Sequence, residues 1–254
     1  HIRLERNHHR HDDQHKADFT EPALGTCQLI SCHRCHQHDH DHSTEGVQQG
    51  VADQHRKLKF RPGLNVHVET PVLRKSQEIL DNGPLRFTVR LEFNPLTVKG
   101  DSTVVETRLI TLDAGSHLNK TAVSYSNLKE TLPIVTGIVL HEPDGAVVAD
   151  AANGYITYVD PTTGPDNGKI FIGAAVPTVV KDAKTVLFSE KEKKERNNAD
   201  GHVLAVSDYE PGSEYVYYWG FAWDRADIKT AAAWNQYMAD FAQKVRNPLT
   251  VKVN

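Results

Sequence analysis

Between Tyr215 and Trp223 every odd position is an aromatic ring: Tyr215, Tyr217, Trp219, Phe221 and Trp223. Only an extended chain, in which successive side chains point to opposite faces, brings all five to one side. An α-helix would scatter them around its axis. The segment therefore predicts a strand with one aromatic face. Leu85–Phe93 has the same period, with apolar residues on odd positions and Arg86, Thr88, Arg90 and Glu92 on even ones.

Residues 103–112 and 121–125 continue the pattern, and Ile134–His141, Gly154–Val159, Ile170–Val176 and His202–Ser207 read as further strands. Turn residues punctuate them: Asn82-Gly83-Pro84, Asn94-Pro95, Asp113-Ala114-Gly115, and two Pro/Asp/Gly clusters at 142–145 and 160–168. Short strands at regular turn spacing predict an all-β antiparallel sandwich or barrel. The charge run Lys191–Arg196 reads as a solvated loop. One helix is expected near the C-terminal end. Asp224 or Asp227 caps it, Ala231–Ala233 favours it, Trp234, Met238, Phe241 and Val245 line one face, and Asn247-Pro248 stops it. Residues 249–253 read as a short closing strand.

The chain changes character near residue 70. Twelve of its 15 His and all 3 Cys lie at or before His67, whereas every Tyr and Trp lies beyond Pro71. The division is thus 1–70, a His/Cys-rich segment, and 71–254, a β-sandwich domain read as the C-terminal piece of a larger one. Cys32, Cys35, His36 and His38 have donor atoms that suit zinc. A structural site wants a second ligand pair across a folded loop, and here the ligands sit in one polar run. Three readings stand side by side: a stretch translated out of frame, a disordered polar tail, and a metal site. The chain starts at His1 and its one Met is Met238, so it reads as a fragment or processed piece.

A net charge of −4 and pI near 6.4 offer no basic field for nucleic acid. No apolar run reaches the roughly 18–20 residues that span a bilayer. There is no P-loop, no Gly-x-Gly-x-x-Gly and no His-Glu-x-x-His, so no cofactor is expected.

The aromatic row reads equally as core or as a saccharide platform, with Phe221 assigned to the core. Tyr and Trp have polar tips that want partners, and sugar rings present C–H faces that stack on aromatic rings. Arg86, Arg90 and Arg108 lie on polar strand faces. A guanidinium forks onto a carboxylate, so Arg86 and Arg108 are candidate uronate clamps; the plainer reading pairs Arg108 with Glu106 or Glu92. His141 and His202 sit at strand ends, and Asp208 and Glu210 flank Tyr209 in a polar stretch. These four are candidate acid/base groups. A lyase would join an Arg clamp to His141, His202 or Tyr217 as base. A mutarotase-type enzyme would pair His141 with Asp208 or Glu210.

Three stretches carry a family resemblance: Asp81–Arg86, Glu106–Asn119, and Tyr217–Trp223 running on through the helix to Arg246-Asn247-Pro248. Together they resemble an uncharacterised bacterial family, a domain of unknown function found beside polysaccharide-degradation genes, over residues 71–254. The resemblance implies a β-supersandwich similar to galactose mutarotase-like domains and a periplasmic or secreted carbohydrate context. The expected function is a carbohydrate-active protein of polysaccharide degradation, a lyase or mutarotase-like enzyme on acidic saccharides. The alternative is a non-catalytic glycan-binding module. Either way the expected partner is an oligosaccharide or polysaccharide, bound through Arg86, Arg108, Tyr215, Tyr217, Trp219 and Trp223.

Overall fold

The structure, a computed structural model, describes residues 26–30, 74–142, 146–162, 164, 166–196 and 198–249. The expected Cys32, Cys35, His36 and His38 set lies outside the described residues. The described residues form two β-sheets. Strands β1 (Thr26–Ile30), β2 (Arg74–Asn82), β3 (Arg86–Phe93), β4 (Leu96–Val98), β5 (Asp101–Asp113), β6 (Leu118–Ser126) and β7 (Leu132–Leu140) come first. After them come β8 (Val147–Asp150), β9 (Tyr155–Asp160), β10 (Ile170–Ala175), β11 (Asp182–Leu187), β12 (Gly201–Tyr209) and β13 (Tyr215–Trp223). Two helices complete the described residues: α1 (Glu190–Glu195) and α2 (Ala231–Arg246). Neither is long and apolar enough to cross a membrane.

The nine-stranded sheet runs β2-β3-β5-β6-β13-β10-β9-β8, with β4 attached to β5. The four-stranded sheet runs β1-β7-β12-β11. All pairings are antiparallel except β1 with β7. β1 comes from the His/Cys-rich region to which the sequence reading gives no element. Between the sheets lie Val104, Val123, Ile134, Ile138, Ile156, Tyr158, Ile172, Val203 and Tyr215. This is an all-β antiparallel sandwich, as the turn spacing predicts.

A third layer, α2, closes the outer face of the large sheet. Trp234, Met238 and Ala242 pack on Leu118, Tyr155, Val159, Phe171, Ala175 and Ala222. Burying each large apolar side chain contributes about 1.5–3 kcal/mol. Gly173 lets the helix sit close: a Cβ there would stand 2.8 Å from the Met238 sulfur and 3.0 Å from the Trp234 ring. The helix is capped by Thr230, whose hydroxyl accepts from the Ala233 N–H at 3.1 Å, and not by either expected Asp. Asp227 instead meets the His117 ring at 2.9 Å. At the other end Arg246 donates to the carbonyls of Ala152 (2.6 Å), Val176 (3.3 Å) and Thr178 (3.2 Å), tying the helix to the loops around β9 and β10.

Two further expectations are corrected, and four strands are added. The charge run is a helix, because Ser189 and Glu192 form a reciprocal capping box at its start. Leu249 is exposed and in no strand; residues 250–253 of the expected closing strand lie outside the described residues. β2, β4, β8 and β11 have no counterpart in the sequence reading. β2 is exposed along its whole length, breaks register at Arg74/Ser76 and Ile79/Asp81, and ion-pairs to β3 through Lys75–Glu92 and Glu78–Arg90.

Gly154 tests the Arg246 tie. Its φ is +73°, and a Cβ would stand 1.9 Å from an Arg246 nitrogen and 2.7 Å from the Val176 carbonyl oxygen. Gly154→Ala should therefore lower stability by about 1–3 kcal/mol, read as a lower urea midpoint at unchanged slope. Arg246→Ala should lose part of the same stability, and the double variant should lose less than the two summed.

Candidate functional site

Strand alternation places Tyr215, Tyr217, Trp219, Phe221 and Trp223 on the inner face of the large sheet, as predicted. The small sheet covers only part of that face, and burial falls along the strand. Tyr215 and Tyr217 are 2% and 5% exposed, Trp219 is half-buried, and Phe221 and Trp223 are 57% and 41% exposed. Phe221 is thus not the core residue expected of it; it lies beyond the reach of the second sheet. The polar tips are satisfied. Tyr215 shares a 2.7 Å hydrogen bond with Thr136 across the core. The Trp219 indole donates to the Thr121 hydroxyl at 2.8 Å, and the Trp223 indole to the Asn167 carbonyl at 2.7 Å. Both indole rings are held by their edges, which leaves ring surface toward solvent. Phe87 and Leu112, from β3 and β5, extend the apolar surface and are also exposed.

Arg108 stands on the same face, in register with Val123, which in turn pairs with Tyr215. Its Nε donates to Glu106, one of the two partners the sequence leaves open, and its guanidinium lies 4.9 Å from the Phe93 ring centre. Glu106 is only 4% exposed and also accepts from the Tyr125 hydroxyl at 2.9 Å. Burial works against the Arg108 charge, but Glu106 first, then Tyr217 and Tyr125, outweigh it and raise its pKa. The side chain remains 28% exposed, and its outer N–H groups have no hydrogen-bond partner among the described residues. The structure thus presents an anchored cation on the face of the aromatic row, opposite its closed Tyr215 end and about 13 Å of strand short of Trp219.

The other candidates are dispersed. Arg86 lies on the opposite face of β3 and forks onto Asp113 with bonds of 2.6 and 2.9 Å, so it joins no clamp with Arg108. Arg90 pairs with Glu78. Asp208 pairs with Lys181, and Glu210 accepts from the Thr131 hydroxyl. His141 does not meet either acid. It follows Leu140, which pairs with Gly201 at one end of β12, whereas Asp208 and Glu210 lie at the other end. Eight residues of strand separate those ends by roughly 26 Å, so the expected His141–Asp208 or His141–Glu210 pair is not formed. His141 instead meets Asp160, Nδ1 to Oδ2 at 3.0 Å, a partner sequence reasoning missed. His202 is buried on the far side of the small sheet, edge-on to Phe188 at 4.8 Å. Burial first, and the Arg196 charge second, hold its pKa down to about 3.

A cavity of about 580 Å³ opens on the outer face at the start of α2, with Lys169, Asp224, Lys229 and Thr230 among its lining. Nothing in the alternation pattern marks it, since both lysines fall in turn segments. Among the described residues no cluster of three or more His, Cys, Asp or Glu side chains is grouped to hold a metal.

A family model described as "Domain of unknown function (DUF4861)" matches residues 59–251, and the chain belongs to that family. The match begins before the boundary expected at residue 71. The chain is also 22% identical, over 179 residues, to "Uncharacterized protein P7" of Formosa agariphila. The alignment covers 68% of this chain and 41% of that protein, so the chain spans about two fifths of its relative's length.

Two outcomes follow from the buried charges. Glu106→Ala strands the Arg108 cation against Tyr125 and Tyr217, and should cost about 2–3 kcal/mol by urea denaturation, below the range for breaking a fully buried pair because Arg108 keeps some solvent. His202 binds protons more weakly folded than unfolded. Its folded pKa is near 3 against 6.5 for the free group, so the unfolded state gains protons first as pH falls. The stability His202 permits is complete above about pH 6.5 and drains away toward pH 3, by up to about 1.4 kcal/mol per unit. A His202→Leu variant should show a flatter dependence of urea midpoint on pH across that window.

Proposed function

We propose that the uncovered end of the large sheet's inner face binds an acidic oligosaccharide. Trp219, Phe221 and Trp223 would stack on sugar rings, and the outer N–H groups of Arg108 would take a uronate carboxylate. The observation that carries this is the emergence of three aromatic rings from the core, in a row, on the same face as a guanidinium that lies opposite Tyr215, at the row's closed end, with its inner side already held by Glu106. A buried core does not require Phe221 and Trp223 to stand open, and an isolated surface arginine does not require a buried glutamate behind it. The same reading places the protein in bacterial polysaccharide breakdown, with a mutarotase-like sandwich and a periplasmic or secreted setting.

Binding without chemistry is favoured at the Arg108 end. Glu106, the carboxylate closest in sequence, is engaged by both Arg108 and Tyr125 and is not available as a base. In the lyase version Tyr217, acting as its phenolate beside Arg108, takes the proton next to the neutralised carboxylate; the freed electron pair forms a ring double bond as the adjacent glycosidic C–O bond breaks and the leaving sugar departs.

Calorimetric titration with galacturonate oligosaccharides and their neutral galactose counterparts tests the proposal. The uronates should bind more tightly. Trp219→Ala and Trp223→Ala should each weaken binding about tenfold, the loss of roughly 1–1.5 kcal/mol of ring contact. Arg108→Lys, which keeps the charge but not the fork, should remove most of the preference for uronates. Absence of binding by either series would overturn the proposal. New ultraviolet absorbance on incubation, lost in Tyr217→Phe, would add the lyase step.

A further inference from the structure

His141 and Asp160 meet where the aromatic row ends. Along β9, residues 156, 158 and 160 face inward: Ile156 and Tyr158 lie in the inter-sheet core, and Asp160 is the next residue on that side. Asp160 is in register with Ile170, and Ile170 with Trp223. Asp160 therefore lies two inter-strand spacings from Trp223, about 10 Å on the same face. His141 reaches down to it from the end of β7 in the opposing sheet. The pair thus stands at the mouth of the sandwich, beside the most distal ring of the row.

Its parts are held in place. The backbone N–H groups of His141 and Glu142 both donate to the Tyr158 hydroxyl, at 3.1 and 3.0 Å. Tyr158 is fully buried, and burial pushes its pKa up to about 12, so it stays a neutral phenol and a fixed anchor. Asp160 accepts the Thr162 N–H at 2.8 Å through Oδ1, leaving Oδ2 for the imidazole. A carboxylate only accepts hydrogen bonds, so Nδ1 carries a proton, and in the neutral ring Nε2 carries the lone pair. Nε2 has no hydrogen-bond partner among the described residues, and the side chain keeps some exposure.

The second His–Asp contact differs in each respect. His117 meets Asp227 through Nε2 at 2.9 Å, on the outer face. Its ring packs edge-on against Trp234 and Tyr237 of α2. That pair braces the helix. Among the described residues, only the His141 pair combines an inward position, a fixed tautomer and closeness to the row.

We infer that His141 and Asp160 form a hydrogen-bond-accepting pair that meets a hydroxyl of the sugar ring stacked on Trp223. This rests on the saccharide reading given above. Nε2 accepts a hydrogen bond from the hydroxyl, and Asp160, a positioning residue, holds the tautomer that leaves Nε2 the acceptor. Arg108 serves a different ring, since four inter-strand steps separate β5 from β9.

Diethyl pyrocarbonate acylates neutral, accessible imidazole nitrogen, and peptide mass mapping reports each His separately. In the full chain His141 should react readily at Nε2. Asp160→Asn should slow that reaction by about tenfold with an unchanged circular dichroism spectrum, a change a merely structural role would not produce. A galacturonate oligosaccharide that quenches Trp fluorescence should protect His141 from the reagent. An inert His141, or a rate indifferent to Asp160→Asn, would overturn the pair. Quenching without protection would overturn its contact with sugar while leaving the saccharide reading intact. No quenching would remove the saccharide reading and the sugar contact together, and the acylation rates would still decide the pair.

Discussion

A strand has two faces and cannot share a side chain between them, and β13 is where that constraint organises the molecule. Its odd residues face the small sheet and the open end of the large one. Its even residues face α2, where Tyr218 meets Phe241 at 4.9 Å and Ala222 lies under the helix. Neighbouring β10 obeys the same division, with Ile172 inward and Phe171 and Gly173 under the helix. A slip of one residue would drive the Trp and Tyr rings into the helix layer and expose that layer's small residues. Trp234 confirms the fit from the other side, sealing its indole N–H on the Ile172 carbonyl at 3.2 Å.

The elements legible in the sequence share a position. β3, β5, β6, β7, β9, β10, β12 and β13 all have a neighbour on each side within their sheets. Most of them also bury at least one face, which writes period two or an apolar run into the residues. The strands that escape notice are β2 and β8 at the edges of the large sheet, β1 and β11 at the edges of the small one, and the β4 appendage. Every residue of β2 is exposed, so no face selects its side chains. The capping box of α1 was present in Ser189 and Glu192, but lysines and glutamates on a six-residue helix bury nothing and leave no stripe. The helix cap was misread because Asp227 has another task, holding His117.

Less of the candidate site could be read. The parity of residues 215–223 shows which rings share a face, but not where the opposing sheet stops. That depends on how β7 crosses over β9 and β10, which makes Tyr215 dry and Phe221 open. The Glu106–Arg108 pair is local, and the sequence offers it beside Glu92, which instead meets Lys75. The His141–Asp160 pair joins two sheets across 19 residues and follows only from their packing. Asp208 and Glu210 looked equally good in the sequence, and strand length alone separates them from His141.

The bulged, charge-studded margin formed by β2 has a consequence for how copies of the molecule behave toward one another. A straight border of unpaired amides would offer another chain an uninterrupted template. Here two irregularities interrupt the repeat, and lysine, arginine and glutamate crowd its flank. Among the described residues, the longest sheet edge is therefore a poor seed for fibre growth, even though Ile79 and Leu80 sit on it exposed.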